Sequence, residues 1–242
     1  MRKDRPKIKV KVPIHKQPDD VTCGPTCLHS IYGFHNDDIA LEELIGDVRM
    51  LDTGGTYASW LGVHALKRGY EAEIWSFNLN VFDPTWFNLP QQKILDKLEL
   101  QLKAKKDQKL KAASQGYMEF IKSGGKLRFD DLTLDSLELL LEGGRPVIVG
   151  LSATYLYHSM REMPDTEEND DINGLPSGHF VVITGLDPET RTVQITDPYF
   201  PNKLSVENTY TVSIARLIAA ILLGVVTYDA NLLLIEKKET ST

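Results

Sequence analysis

A loop must turn into a helix at Cys23, and any fold of this chain has to keep that junction intact. Gln17-Pro18-Asp19-Asp20-Val21-Thr22 is charged and proline-containing and reads as a loop. Cys23-Gly24-Pro25 then opens an apolar run through Leu28, Ile31 and Tyr32. Proline suits a first helical turn, where its missing N–H is not needed. Cys23 therefore stands where the helix's unpaired N–H groups and its dipole favour a negative charge, which favours a thiolate. A thiolate in that position is a candidate nucleophile. Gln17, in the loop leading into the turn, can fold its amide back beside the Cys23 N–H, giving two donors for a developing oxyanion.

Such a thiolate needs a base, and the base needs an anchor. Ser177-Gly178-His179-Phe180-Val181-Val182-Ile183-Thr184-Gly185 is a strand-like run that opens on a histidine. Thr192-Val193-Gln194-Ile195-Thr196-Asp197-Pro198 is a shorter strand that ends on an aspartate. Asp187-Pro188-Glu189-Thr190-Arg191 between them has turn composition, so the two runs predict an antiparallel hairpin. In a hairpin the start of one strand lies beside the end of the other, which makes His179 and Asp197 neighbours. The candidate set in chain order is Gln17, Cys23, His179 and Asp197.

These stretches resemble the bacteriocin-processing, double-glycine type of cysteine peptidase, a branch of the papain-like fold. The resemblance rests on Gln17 with Cys23-Gly24-Pro25 and Leu28, on Gly178-His179 with Val182 and Gly185, and on Asp197-Pro198. It implies an oxyanion donor at Gln17, a nucleophile at Cys23, a base at His179 and its orienting carboxylate at Asp197. It also implies an α+β, papain-like fold, with a helical first half packed on an antiparallel β-sheet second half and the site between them. The expected activity is that of a cysteine peptidase or amidase acting on a peptide or amide substrate, with no cofactor and no metal. The alternatives are an acyl or peptidyl transferase of the phytochelatin-synthase kind and a peptide-binding module without turnover.

The bulk composition is compatible with that reading. At 242 residues, 42% apolar and 25% charged, the chain can bury a sizeable core and reads as a single domain over 1–242. A formal net charge of −7 argues against a general nucleic-acid binder. Two cysteines four apart make neither a disulfide framework nor a structural zinc site. Met1 to Pro6 is basic with no apolar core after it, and the apolar run from Val212 to Val226 contains Arg216 and is too short to span a bilayer. The expectation is a soluble, cytoplasmic protein with no membrane partner; oligomeric state is not readable.

Along the rest of the chain, Ile8 to Val12 alternates as a strand, and Asp37-Asp38 can cap a helix running to Val48. Trp60 to Leu66 predicts another helix, and Glu71 to Phe77 a strand. Residues 78–125 read as a helical elaboration, broken at Asp107. Thr133 or Asp135 starts a further helix through Leu141, before a buried strand from Arg145 to Leu151. A helix near Val212 to Leu222 and a strand at Leu232 to Ile235 close the chain. The polar segment 159–176, acidic from Glu162 to Asp171, lacks periodicity and is expected to be a mobile loop. It enters the His179 strand, so it can cover the site or present its carboxylates to a basic peptide. Cys27 is expected to be packing, and His15 is the rival base because of its closeness to Gln17.

Overall fold

Alternate residues of the apolar strands are buried on opposite sides, and that periodicity sets the architecture. A computed structural model describes residues 5–52, 54–164 and 166–238. Among them, eight strands join one sheet: β1 (Ile8–Lys9), β2 (Tyr70–Ser76), β3 (Lys126–Arg128), β4 (Val147–Ser152), β5 (Gly178–Asp187), β6 (Thr192–Thr196), β7 (Thr209–Ser213) and β8 (Asn231–Lys237). The order is β3-β2-β8-β4-β5-β6-β7, with β1 pairing the far end of β5. Neighbours run antiparallel, apart from the parallel pair β2 and β3.

Helices cover both faces. On one side lie α1 (Cys23–Phe34), α2 (Leu41–Asp47), α3 (Ala58–Lys67), α4 (Gln91–Ala104) and α5 (Gln108–Lys122). Ile148, Phe180, Val182 and Leu233 point into that layer. On the other side lie α6 (Leu134–Leu141), α7 (Ala153–Tyr157) and α8 (Ile214–Leu223), which receive Val147, Val149, Val181, Ile183, Leu232 and Leu234. The α+β class, with a helical first half packed on a largely antiparallel sheet, is as expected, with two additions. β1 and β2 join the sheet from the first half of the chain, and three helices of the second half pack behind it. The reason is in the strands: β4, β5 and β8 are apolar on both faces, and a one-sided cover would leave half of those side chains in water.

Local chemistry sets several boundaries. Asp107 Oδ1 accepts from Leu110 N at 2.7 Å and caps α5, as its place between two helical patterns predicts. Thr133 and Ser136 cap α6 reciprocally. Asp37 caps nothing; it accepts from Arg68 Nη2 at 2.6 Å and Tyr70 Oη at 2.9 Å, and α2 starts only at Leu41. Strands β3 and β7 and the short helix α7 have no counterpart in the sequence reading.

The described residues of the acidic segment before β5 are linked by local hydrogen bonds. Glu162 bridges Asn169 and Leu175, and Asp170 accepts from the N–H groups of Ile172 and Asn173, each at 2.8 Å. Arg161 Nη2 donates to the carbonyls of Asp171 and Ile172. Composition suggests a segment with nothing to bury, and its polar groups bond to one another.

The fully buried Ile148 tests the two-layer core. Ile148→Ala removes most of a side chain from the α1–α3 face and should lower unfolding free energy by about 2–5 kcal/mol. A shifted urea midpoint with an unchanged slope is the expected readout. A midpoint within error of the parent would mean that this face of β4 is not packed.

Candidate active site

Helix α1 begins at Cys23, so the thiol occupies the first helical position. Thr26 N already donates to Thr22 O at 3.0 Å and Pro25 has no N–H. The unpaired donors of this helix end are thus the N–H groups of Cys23 and Gly24. Nine residues of the helix are buried, and Cys23 itself is 9% exposed. One turn deeper, Cys27 Sγ donates to Phe180 O at 3.3 Å. Burial pushes that thiol well above its ordinary pKa, with the charges of Cys23 and Asp197 adding to the effect, so it stays protonated and tethers α1 to β5.

The β5–β6 hairpin forms with the expected turn and pairs Val182 with Thr196. His179 Nε2 lies 2.9 Å from Asp197 Oδ1. Cys23 lies close enough for its charge to act on the His179 ring, and with Nε2 on Asp197 the ring nitrogen left for the thiol is Nδ1. His179 is 7% exposed and Asp197 fully buried. Burial would drive the imidazole toward neutrality, but the charges of Asp197 and Cys23 and the hydrogen bond to Asp197 outweigh it and raise its pKa from 6.5 to about 10. Burial likewise works against the Asp197 carboxylate, yet the His179 charge and hydrogen bonds from His179, Tyr157 and Tyr210 hold it below 3.8.

Asp197 has more partners than a hairpin argument can supply. Tyr157 Oη from α7 and Tyr210 Oη from β7 each donate to Oδ2 at 2.6 Å, and Tyr199 N donates to Oδ1 at 2.9 Å. Asn202 Nδ2 approaches Oδ2 at 3.4 Å. The rings of Tyr157 and Tyr199 flank His179 with centroids 6.0 and 6.2 Å away. Sequence reasoning missed Tyr157 and Tyr210 because their elements carry no motif; the only cue was the need of a buried carboxylate for donors.

Gln17 shares a cleft of about 620 Å³ with His179, Tyr157, Tyr199 and Gly178. Its backbone N–H donates to Pro198 O at 3.0 Å, which fixes the loop to the segment after Asp197. Nε2 donates to Asp19 O at 2.8 Å, so one amide hydrogen is engaged and the second is free for an oxyanion. His15 packs edge-on against His29, with ring centroids 5.1 Å apart, rather than in this set.

Asp229 is a further acidic group that sequence reasoning passed over. It is 7% exposed, and burial pushes its carboxyl up to about 7 against the pull of the Thr227 hydrogen bond and the His179 charge. Its Oδ2 fills the position that a Cβ on Gly178 would take. Among the described residues no group of three or more His, Cys, Asp or Glu is placed to hold a metal ion, and no helix is long and apolar enough to cross a membrane.

Residues 101–218 match the model of the Peptidase_C39 like family, in agreement with the resemblance carried by the motifs. The matched stretch contains His179 and Asp197, with Gln17 and Cys23 outside it. The chain is similar to a double glycine motif protease from an AMS/PCAT transporter, solved in complex with the leader peptide. Identity is 13%, covering 97% of this chain and 100% of that one, with a TM-score of 0.48. Xylellain, a cysteine protease from Xylella fastidiosa, is similar at 14% identity over 96% of this chain and 86% of that one, with a TM-score of 0.46. No curated protein sequence matches.

The two shifted groups act at opposite ends of the pH scale. A histidine raised from 6.5 to about 10 contributes its full stability below pH 6.5 and loses it as pH climbs toward 10. A carboxylate held below 3.8 contributes above that value and loses its share only as acid reaches the lower folded value. The urea midpoint of the native protein should therefore decline from pH 6.5 to 10, and Asp197→Asn should flatten that decline. Parallel pH profiles would mean that His179 is not held as a cation by Asp197. Tyr157→Phe removes one hydrogen bond to a buried charge and should cost about 1.5–3 kcal/mol.

Proposed function

We propose that this chain, with its match to the Peptidase_C39 like family, is a cysteine peptidase that works through a thioester on Cys23. The observation that carries the reading is the arrangement of Cys23 at a helix N-terminus, within reach of the charge of a histidine that a buried carboxylate holds 2.9 Å away. His179 takes the Cys23 proton on Nδ1, giving a thiolate and an imidazolium, while Asp197 fixes the ring and balances its charge. The thiolate attacks the carbonyl carbon of a peptide bond, a C–S bond forms, and negative charge moves to the oxygen. The Cys23 N–H and the free amide hydrogen of Gln17 are the donors for that oxyanion. The tetrahedral species collapses as His179 gives its proton to the departing amine. Water, deprotonated by His179, then cleaves the thioester, releasing the acid and restoring the thiol pair.

A peptide substrate also suits the site's shape. An open cleft of about 620 Å³, bounded by Tyr199 and the Gln17 loop, admits an extended chain of several residues.

Selective chemistry is the direct test. Iodoacetamide at mildly acidic pH should alkylate Cys23 well before the buried Cys27, and His179→Ala should slow the alkylation of Cys23. Equal labelling of both thiols, or labelling only after unfolding, would remove the nucleophile assignment. On any cleaved peptide, Gln17→Ala should lower kcat by about 100- to 1,000-fold with little change in KM, the usual effect of deleting one oxyanion donor. A raised KM with normal kcat would make Gln17 a substrate contact instead.

A further inference from the structure

The loop between Tyr157 and β5 divides its charged groups between two uses. Asp170 serves the loop itself, accepting from Ile172 N, Asn173 N and Asn173 Nδ2. Arg161 is spent on the backbone carbonyls of Asp171 and Ile172. Glu162 and Glu167 have neither role. Their side chains line the cleft that holds His179, where Asp20 of the Gln17 loop joins them. Among the described residues none of these three carboxylates forms an ion pair with a lysine or arginine.

Three further facts bear on what this end of the cleft accepts. Gln17, 7% exposed and lining the same cleft, keeps its Oε1 buried with no hydrogen-bond partner. An unpaired buried acceptor is costly, and it calls for a donor from outside the chain. Glu167 sits at φ 59°, a left-handed conformation that glycine or asparagine would take more easily, so turn geometry does not account for a glutamate there. Its carboxyl is raised above its ordinary value by a hydrogen bond and charge from Asp20, the signature of two acids crowded without a cation between them. Glu162 and Asp19 add to the same effect. Lys203, the one lysine lining the cleft, lies on the segment after Asp197, beside Asn202, which is bonded to Tyr199 O at 2.7 Å.

We propose that Asp20, Glu162 and Glu167, beside Gln17 in the same cleft, form a subsite for a basic side chain of the substrate, an arginine or lysine close to the cleaved bond. The inference rests on the peptidase reading and adds a substrate class to it. The unpartnered atoms facing this end of the cleft are acceptors, so a guanidinium or ammonium group, which only donates, satisfies them together. A neutral or acidic side chain leaves the carboxylates opposed to one another. Because the carboxylates are exposed at the rim, charge selection there acts on encounter and depends on salt.

Binding can be separated from turnover. The Cys23→Ala protein would be titrated, by fluorescence anisotropy, with labelled hexapeptide pools carrying arginine or citrulline at one fixed position in turn. Citrulline keeps the shape of arginine and removes its charge. At one position or more, the arginine pool should bind about tenfold more tightly in low salt, an advantage that fades near 1 M salt, where screening reaches about 3 Å. In a Glu162→Gln, Glu167→Gln background the arginine and citrulline pools should bind within about twofold of each other. Equal binding of the two pools to the parent at every position, or an arginine advantage untouched by the double substitution, would overturn the subsite. Iodoacetamide labelling of the native protein reports on the peptidase reading independently. Selective labelling without arginine preference sinks the subsite alone, and arginine preference without selective labelling sinks the peptidase.

Discussion

A fully buried carboxylate at the end of β6 is the constraint on which the rest of this structure depends. An ion of that kind costs several kcal/mol to remove from water unless donors replace its hydration. Asp197 finds them on four separate pieces of chain: His179 at the head of β5, Tyr157 at the end of α7, Tyr210 in β7, and the backbone of Tyr199. Losing any one of these leaves a buried charge short of a donor, so the carboxylate disciplines the positions of all four. Its interaction with His179 is therefore part of how this corner of the fold is held together as well as a feature of the candidate chemistry.

The second cysteine has a related role. Cys23 and Cys27 are one helical turn apart, and His179 and Phe180 are adjacent on β5. The bond from Cys27 Sγ to Phe180 O ties the two elements one step beyond Cys23 and His179. Spacing between thiol and imidazole is thus set by a contact that lies out of reach of solvent. The strand it grips is itself fixed by pairing on both sides, with β4 and with β6.

What could be read in the sequence was local or had a strong chemical signature. The start of α1 at Cys23, the β5–β6 hairpin that brings His179 beside Asp197, and the break at Asp107 follow from turn chemistry and spacing. What could not be read was set by distant partners. Strand β3 is three residues long and exists because β2 offers it an edge. Asp37 has the composition of a helix cap, but Arg68 and Tyr70 engage it from another element. The hydrogen bonds among the described residues of the acidic loop belong here too, since composition does not show which polar groups pair. The tyrosines around Asp197 belong to the same class, being visible only once α7 and β7 are known to converge there.

Gly178 is usually the kind of residue explained by backbone freedom, yet it lies in an ordinary strand. Its missing side chain, next in sequence to His179, is the space that the Asp229 carboxyl fills. The two positions are in effect one residue divided between two strands' worth of chain, an absence at 178 and a presence at 229. A side chain at 178 cannot be added without displacing Asp229. A transplant of this site onto another scaffold that copied Gln17, Cys23, His179 and Asp197 would reproduce the contacts and still omit the acid packed against Gly178. The smallest portable version of the site therefore includes a glycine and an aspartate fifty-one positions apart.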